Sequence, residues 1–243
     1  MRTVIGEVFR YSIQTGLTDK DPVHATRGTV ATHNPKHFAA ILKPELFGEA
    51  LQTIDAYAGR NVLTGSALQL MALLYPRPGE LRQAKWSEFD LAKGTWEIPA
   101  ERMKLRQAHT KTLPEQALAI LKTLYDITGP QGHVFPATGR PINPLSENTM
   151  NVALRRMGID ASEHTPHGFW ATASTLLNAS NMFSSDAIER SLAHQDKDAV
   201  RRAYARGDAM AERKQMAQWW ADYLDRLREG VSDGTKVMQL TRR

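Results

Sequence analysis

Apolar residues recur at helical spacing through most of the sequence after residue 36, and this pattern restricts the fold more than any other feature. Pro44 begins one such stretch, which continues to Tyr57, and a strongly apolar stretch follows at Leu63–Leu74. Proline is favoured at the first helical position, and two further prolines break the chain directly after Leu74. We therefore predict a mostly helical main body from about Lys36 to Glu229.

A small antiparallel sheet is predicted inside this helical body. The turn Ala92–Gly94 joins two short strand-like segments, and a third follows before Pro114. The predicted strands are Phe89–Leu91, Thr95–Ile98 and Lys111–Leu113. Further helices are predicted at Glu80–Lys85, Pro114–Ile127, Ser146–Met157, Pro166–Ala179, Asp186–Ala193, Asp198–Arg206 and Ala209–Arg228, with a loop at Gly129–Pro144. The expected fold class is mostly α with a small antiparallel sheet (α+β).

The amino-terminal region differs from the main body. Val4–Ile13 has helical apolar spacing, Gly16 is placed to end that helix, and a polar, turn-rich linker follows. One short helix cannot bury its own apolar face, so it either docks on the main body or belonged to a further domain. We expect residues 1–30 to be a domain remnant with its linker, residues 31–229 to be the main domain and residues 230–243 to be a flexible tail.

Charge and composition limit the function classes. The 243 residues include 31 Lys and Arg against 26 Asp and Glu, a net charge of +5. The surplus lies in residues 101–156, which suggests a polyanionic partner such as DNA, although solvated charged strands explain it equally well. The absence of cysteine excludes disulfides, thiol catalysis and Cys-ligated metals. No apolar run is long enough for a membrane span and no signal peptide precedes the main body, so we expect a cytoplasmic protein.

Two basic stretches contain candidate phosphate-binding groups. Arg77 follows the apolar helix, and Glu80 stands three residues later. A guanidinium held at such a break can bind a phosphate while a carboxylate orients it, although a helix-capping Arg–Glu pair explains the same pattern. Lys104 lies beyond Ile98 at a predicted hairpin tip, from which a lysine can protonate a leaving oxygen. An exposed turn lysine is the simpler alternative.

Two later stretches contain histidines and a tyrosine. His164 and His167 are three residues apart, but no third ligand at helical spacing supports a metal site. A histidine over a phosphate at a helix start is the better functional interpretation, and a structural histidine is the alternative. His194 precedes Tyr204 by ten residues. A tyrosine near an arginine, a lysine and two histidines can act as a nucleophile on phosphorus.

The order of these stretches resembles the tyrosine recombinase (phage integrase) family, in particular prophage integrases of the P4-like type. The resemblance covers about residues 36–228. The sequence segments that carry it are RPGELRQAKWSEFDLAKGTWEIPAERMK, TPHGF, AIERSLAH and VRRAYAR. Each motif is weak alone, and their order and spacing together form the signal.

The resemblance implies the fold of the family's catalytic domain and a DNA strand exchange that needs no metal, ATP or other cofactor. By position, Arg77 corresponds to the first family arginine, Glu80 to its acidic partner and Lys104 to the hairpin lysine. His167 corresponds to the acid/base histidine, His194 to the second histidine and Tyr204 to the nucleophile that forms a 3′-phosphotyrosyl bond. The expected DNA contacts around them are Arg102, Arg106, Lys111, Arg201 and Arg202.

One position departs from the family pattern. The His-x-x-Arg motif ends in Trp170, so the second family arginine is absent. Guanidinium offers five donors and a fixed charge, whereas indole offers one N–H and no charge. We therefore expect impaired catalysis. The alternative functions are a non-catalytic DNA-binding remnant of a prophage integrase and, with little support, an unrelated helical interaction protein.

The resemblance also implies partners. Double-stranded DNA with attachment-type sites is the expected partner, and no membrane is expected. The apolar face of Ala209–Arg228 is suited to docking between subunits of a homo-oligomer on DNA, and packing on its own core is at least as good an explanation.

Overall fold

The structure of the protein, a computed structural model, describes residues 2–24, 38–103, 106–193 and 209–230. The chain divides into two compact units, Met1–His37 and Phe38–Arg243. The smaller unit contains the helix α1 (Arg2–Gln14). Gly16 ends it at a φ of +71°, and the Leu17 amide donates to the Ser12 carbonyl at 2.8 Å. A residue in the left-handed region with this bond is a common helix end, so the predicted helix and its glycine cap are confirmed.

The larger unit is built around one central helix. α2 (Pro44–Ala58) is followed by α3 (Val62–Leu74), whose Asn61 cap accepts a bond from the Thr64 amide at 3.3 Å. Ten of the thirteen residues of α3 are buried, because neighbouring helices pack against it from several sides. A helix that is apolar around most of its surface needs such a position. The apolar pattern that predicted this helix therefore also explains its place in the core.

The predicted sheet forms beside these helices. β1 (Phe89–Asp90), β2 (Thr95–Ile98) and β3 (His109–Thr112) are antiparallel, with β2 in the middle. Trp96 lies opposite Lys111 in this register, and its buried ring stacks on Phe89 at 5.2 Å. The three strands are confirmed, although the third begins two residues earlier than predicted and ends one residue earlier.

The remaining elements complete the larger unit. One short hairpin, β4 (Pro136–Ala137) with β5 (Arg140–Pro144), forms in the segment that was predicted to be a loop. The predicted helix at 198–206 lies outside the described residues. The other helices are α4 (Pro78–Arg82), α5 (Glu115–Thr128), α6 (Thr149–Arg156), α7 (Gly168–Ser180), α8 (Ser185–Ser191) and α9 (Ala209–Arg228).

The carboxyl-terminal helix α9 packs on its own unit. Met216, Trp220 and Leu224 are fully buried there, and the Trp220 indole donates to the Ala72 carbonyl of α3 at 2.9 Å. This face cannot also dock on another subunit while it is buried in its own core. The structure thus favours packing within the subunit over the expected use of this face between subunits. Within the described ranges, no helix is both long and apolar enough to cross a membrane.

Candidate functional site

The first site residue, Arg77, lies where the chain breaks between α3 and α4. Tyr75 ends α3 in the left-handed region at a φ of 41°, and Pro78 then starts α4. Arg77 occupies the extended position between these two helices. The prolines that predicted a break therefore present the Arg77 backbone and side chain at the start of a new helix.

Glu80 holds Arg77 at two points. One carboxylate oxygen accepts the Arg77 backbone amide at 2.9 Å, and the other accepts Nη1 of the guanidinium at 2.9 Å. The Glu80 side chain is 5% exposed, whereas that of Arg77 is 31% exposed. A buried carboxylate with two such bonds fixes the orientation of a guanidinium whose outer edge still reaches solvent. This geometry suits an arginine that binds an external anion.

His167 precedes α7 on the same side of the unit. Its ring stacks on that of Phe38, with centroids 4.3 Å apart and planes 19° apart. The next residue, Gly168, lies so close to the Ala39 carbonyl that a Cβ atom there would be 2.4 Å from its oxygen. Only glycine allows this approach, which brings the start of α7 against the segment that contains Phe38. The imidazole therefore has a defined position.

Electrostatic effects connect Arg77 with three other side chains. The positive charge of Arg77 lowers the pKa of His167, after the larger effect of burial. It also contributes to the lowered pKa values of His109 and Lys111. Such effects fall off with distance, so these groups lie near one another. Arg77 is thus bonded to Glu80 and lies within electrostatic range of His167, and their roles in catalysis stay predictions.

Two of the expected DNA contacts, Arg102 and Arg106, have different environments. The Arg102 guanidinium pairs with Glu88 and donates to the Glu80 carbonyl, so it ties the segment after β2 to α4. Its side chain is 14% exposed, which leaves little of it for DNA. Arg106 is exposed and has a φ of 50°. Only Arg106 of the two presents a side chain mainly to solvent.

Lys111 requires a correction. It was expected on a basic surface in contact with DNA, but its residue is 4% exposed. Its ammonium donates to the Ser191 carbonyl at 2.9 Å and lies 4.6 Å from the centre of the Tyr75 ring. Burial lowers the pKa of Lys111 to about 7, an effect that the Glu80 charge partly opposes. An ammonium enclosed in this way does not reach a phosphate outside the unit.

Trp170 lies three residues after His167 on α7. Its indole Nε1 donates to the Leu192 carbonyl at 3.2 Å, and its ring packs against the core. The only N–H of the indole is therefore directed at the end of α8. The family pattern has an arginine at this position. Here the side chain at this position, Trp170, instead makes a hydrogen bond inside the unit.

Five predicted site residues lie outside the described residues. They are Lys104, His194, Arg201, Arg202 and Tyr204. The described chain reaches Met103 before the first of them and Ala193 before the second. Their roles stay predictions that rest on the sequence resemblance.

A buried polar cluster near Arg77 was not predicted from the sequence. The Tyr75 hydroxyl and the Ser191 hydroxyl are 2.7 Å apart, and Arg213 of α9 donates to the Thr110 carbonyl. Burial and the neighbouring cations lower the pKa of His109 to about 3, so its imidazole is neutral. His109 and Lys111 alternate on β3 as residues of one sheet face do. That alternation was the one local signal for this cluster.

The described side chains offer no metal centre. Among them, no group of three His, Asp or Glu residues is arranged to hold a metal ion. His164 is buried and its Nδ1 accepts the Ile41 amide at 3.1 Å, while burial lowers its pKa to about 4. It is thus a structural histidine. A guanidinium with a neighbouring imidazole suits an anionic group such as a phosphate.

Comparisons with known proteins agree on one family. Residues 47–210 match the phage integrase family. The chain is 39% identical over 232 residues to the integrase of Enterobacteria phage P4, covering 90% of this chain and 52% of that protein. It is 36% identical over 218 residues to the prophage integrase IntA of Escherichia coli, with the same two coverages. The chain thus spans about half the length of these relatives.

A solved structure supports the fold. The chain resembles a lambda integrase dimer bound to a COC′ core site, with a TM-score of 0.60 and 20% sequence identity. The match covers 96% of this chain and 59% of the other. At this identity the likeness concerns the fold alone. It confirms the predicted fold class of helices with a small antiparallel sheet.

Proposed function

Because this chain belongs to the phage integrase family, we propose that it cuts and rejoins double-stranded DNA at specific sites through a 3′-phosphotyrosyl intermediate. The observation that carries this proposal is the Arg77 guanidinium, which is held by the buried Glu80 carboxylate and is close enough to His167 for its charge to lower the pKa of that imidazole. His167 is far from Arg77 and Glu80 in sequence, yet all three residues match the family motif by position. Their chemistry suits a DNA phosphate.

Each step of the proposed reaction has a residue. Arg77 binds the scissile phosphate, and Glu80 keeps its guanidinium in place. The Tyr204 hydroxyl oxygen bonds to phosphorus, and its proton passes to His167, whose lowered pKa keeps it neutral near pH 7. The bond from phosphorus to the 5′-oxygen breaks, and Lys104 protonates that oxygen. His194 donates a hydrogen bond to the phosphate. The reverse steps rejoin the strand, so the bond energy is conserved.

Trp170 makes the proposed reaction slow. The developing negative charge on the phosphate lacks the second guanidinium, and the indole N–H is already bonded to Leu192. Loss of one preorganised donor from such a site costs about 10²–10³-fold in rate. A DNA-binding protein without catalysis is the second candidate function, favoured by this same residue.

The proposed partners are double-stranded DNA and further copies of the chain. The lambda integrase to which the fold is similar was solved as a dimer bound to a core site, which supports both. The exposed Arg106 belongs to the basic middle region and contributes to the proposed DNA contact. The proposed place of action is the cytoplasm, where the DNA substrate lies.

The proposed activity is tested with a nicked DNA substrate that releases a short fragment on cleavage and so traps the intermediate. We expect the protein to form a covalent adduct that survives denaturation. Tyr204→Phe is the matched control, because it removes only the nucleophilic oxygen and retains the ring. It should abolish the adduct and leave DNA binding unchanged. DNA binding without any adduct from the unaltered protein would favour the non-catalytic function.

DNA binding itself is expected to weaken as salt increases. Each phosphate contact by Lys or Arg releases counterions, so log K should fall with log salt by about 0.9 per contact. Fluorescence anisotropy with a labelled duplex across a salt series measures this slope. Binding that does not change with salt would contradict a basic DNA-binding surface in both candidate functions.

A further inference from the structure

The carboxyl end of α8 is held by side chains from other elements. A helix leaves its last carbonyl groups without partners inside the helix. Here the Ser191 carbonyl accepts the Lys111 ammonium at 2.9 Å, and the next carbonyl, of Leu192, accepts the Trp170 indole at 3.2 Å. Lys111 comes from β3 and Trp170 from α7. Two consecutive carbonyls are thus bound by donors that lie far away in sequence.

Further contacts restrict the same end of α8. Ala193 has a φ of 54°, and its amide donates to the Arg190 carbonyl at 3.1 Å. The Ser191 hydroxyl lies 2.7 Å from that of Tyr75, two residues before Arg77. The last described residue before His194 therefore leaves α8 in one defined direction, and the same contacts connect this end to the Arg77 region.

A lysine is an unusual choice for this interior position. Burying an ammonium is costly, and an apolar side chain of similar size often serves stability as well or better. Unlike an apolar residue, Lys111 can donate a hydrogen bond, and the Ser191 carbonyl accepts that bond from its ammonium. A role beyond stability is therefore the better explanation for a charged group here.

We infer that Lys111 and Trp170 are positioning residues that together fix the carboxyl end of α8, from which the chain continues to His194. The inference deepens the proposed function, since it gives the segment with the second histidine a fixed starting point. Trp170 thus has a role of its own besides occupying the position of the lost arginine. Its N–H binds the Leu192 carbonyl, next to the Ser191 carbonyl that Lys111 binds. Lys111 acts through α8 and does not touch the phosphate.

The charged and titratable groups around Lys111 belong to its own strand β3, to α4 and its cap, to α9 and to the end of α3. Glu80 on α4 favours its protonated form, whereas Arg77 and Arg213 disfavour it. His109, with a pKa of about 3, and Tyr75, whose pKa is raised by burial, remain neutral between about pH 6 and pH 9. Lys111 has a pKa of about 7, so it changes charge within this range. Opening the end of α8 to water would raise this pKa toward its usual value, so the opened form binds the proton more tightly and opening becomes less favourable as the pH rises above about 7.

Hydrogen exchange of the free protein tests the positioning role without any DNA. Lys111→Met removes the donor and retains a side chain of similar length. Losing a hydrogen bond from a charged group should accelerate exchange in the peptide that spans residues 185–193 by roughly tenfold or more. Lys111→Arg should restore most of the protection. Lys122→Met is the matched control, because Lys122 is exposed on α5, and it should have no effect on this peptide. Trp170→Phe removes the other donor and should accelerate the same peptide.

A pH series separates positioning by the ammonium from a packing effect. After correction for the intrinsic rate of exchange, protection of residues 185–193 should rise above about pH 7 in the unaltered protein, because Lys111 then no longer carries a charge inside the unit. It should stay level in Lys111→Arg, whose guanidinium keeps its charge. Equal protection at all pH values in the unaltered protein, or unchanged exchange in both Lys111→Met and Trp170→Phe, would overturn the inference.

Adduct formation then connects the anchored helix end to the reaction. In single-turnover cleavage of the nicked substrate, Lys111→Met should be slowed roughly tenfold at unchanged DNA affinity, and Lys111→Arg should recover. If the unaltered protein forms no adduct, the proposed function fails, and the exchange measurements alone decide the positioning role. Faster exchange with an unchanged cleavage rate would overturn the link to His194.

Discussion

Replacing Arg77 by lysine is expected to slow formation of the covalent protein–DNA adduct by roughly 10²–10³-fold. Lysine keeps a positive charge beside the buried Glu80 carboxylate, so the fold should survive. What it loses is the planar fork that bonds one oxygen of Glu80 and still presents donors to a phosphate. The comparison of single-turnover cleavage rates on the nicked substrate measures this effect.

Arg82→Lys is the matched control for this variant. Arg82 lies on the same short helix, α4, but its guanidinium donates to the Leu145 carbonyl at 3.3 Å. The control should form adduct near the rate of the unaltered protein. DNA affinity should change little in either variant, because lysine keeps the positive charge of the arginine that it replaces. Equal cleavage rates for Arg77→Lys and the unaltered protein would show that Arg77 does not clamp the reacting phosphate.

Glu80 explains why this part of the site could be predicted from the sequence. Its bonds to Arg77 span only three residues, and such local pairs follow from helix geometry. The break after Leu74 and the proline at the start of α4 are also local signals. Local patterns of this kind were therefore sufficient to pair Arg77 with Glu80 and to predict most helices and the three-stranded sheet.

Lys111 shows where the sequence was insufficient. Its partner, Ser191, lies 80 residues away, and no local pattern specifies such a contact. A lysine on a short strand is usually exposed, so the general rule predicted a surface position. The hairpin of β4 and β5 was missed for a different reason. Its segment contains prolines and an exposed Ile142, whereas a typical strand has a buried face.

The second arginine of the family motif offers the sharpest test of catalytic impairment. Trp170→Arg is expected to raise the rate of adduct formation at least tenfold, since it restores a second guanidinium to a phosphate with developing charge. The half-buried ring of Trp170 packs against the core, and the apolar stem of an arginine can occupy part of that space. The same single-turnover assay on the nicked substrate measures the gain.

The two hydrogen bonds at the carboxyl end of α8, from Lys111 and Trp170, influence the size of this gain. Trp170→Arg keeps an N–H donor available for the Leu192 carbonyl, whereas Trp170→Phe, its matched control, removes the donor and adds no charge. The control should cleave more slowly than the unaltered protein. The added guanidinium also lies near Lys111, already crowded by Arg77 and Arg213, so it should lower the pKa of that lysine further. The advantage of Trp170→Arg should therefore be largest above about pH 7, where Lys111 is neutral and does not repel the added charge. No gain at any pH would mean that another residue already supplies the charge or that the site is impaired elsewhere.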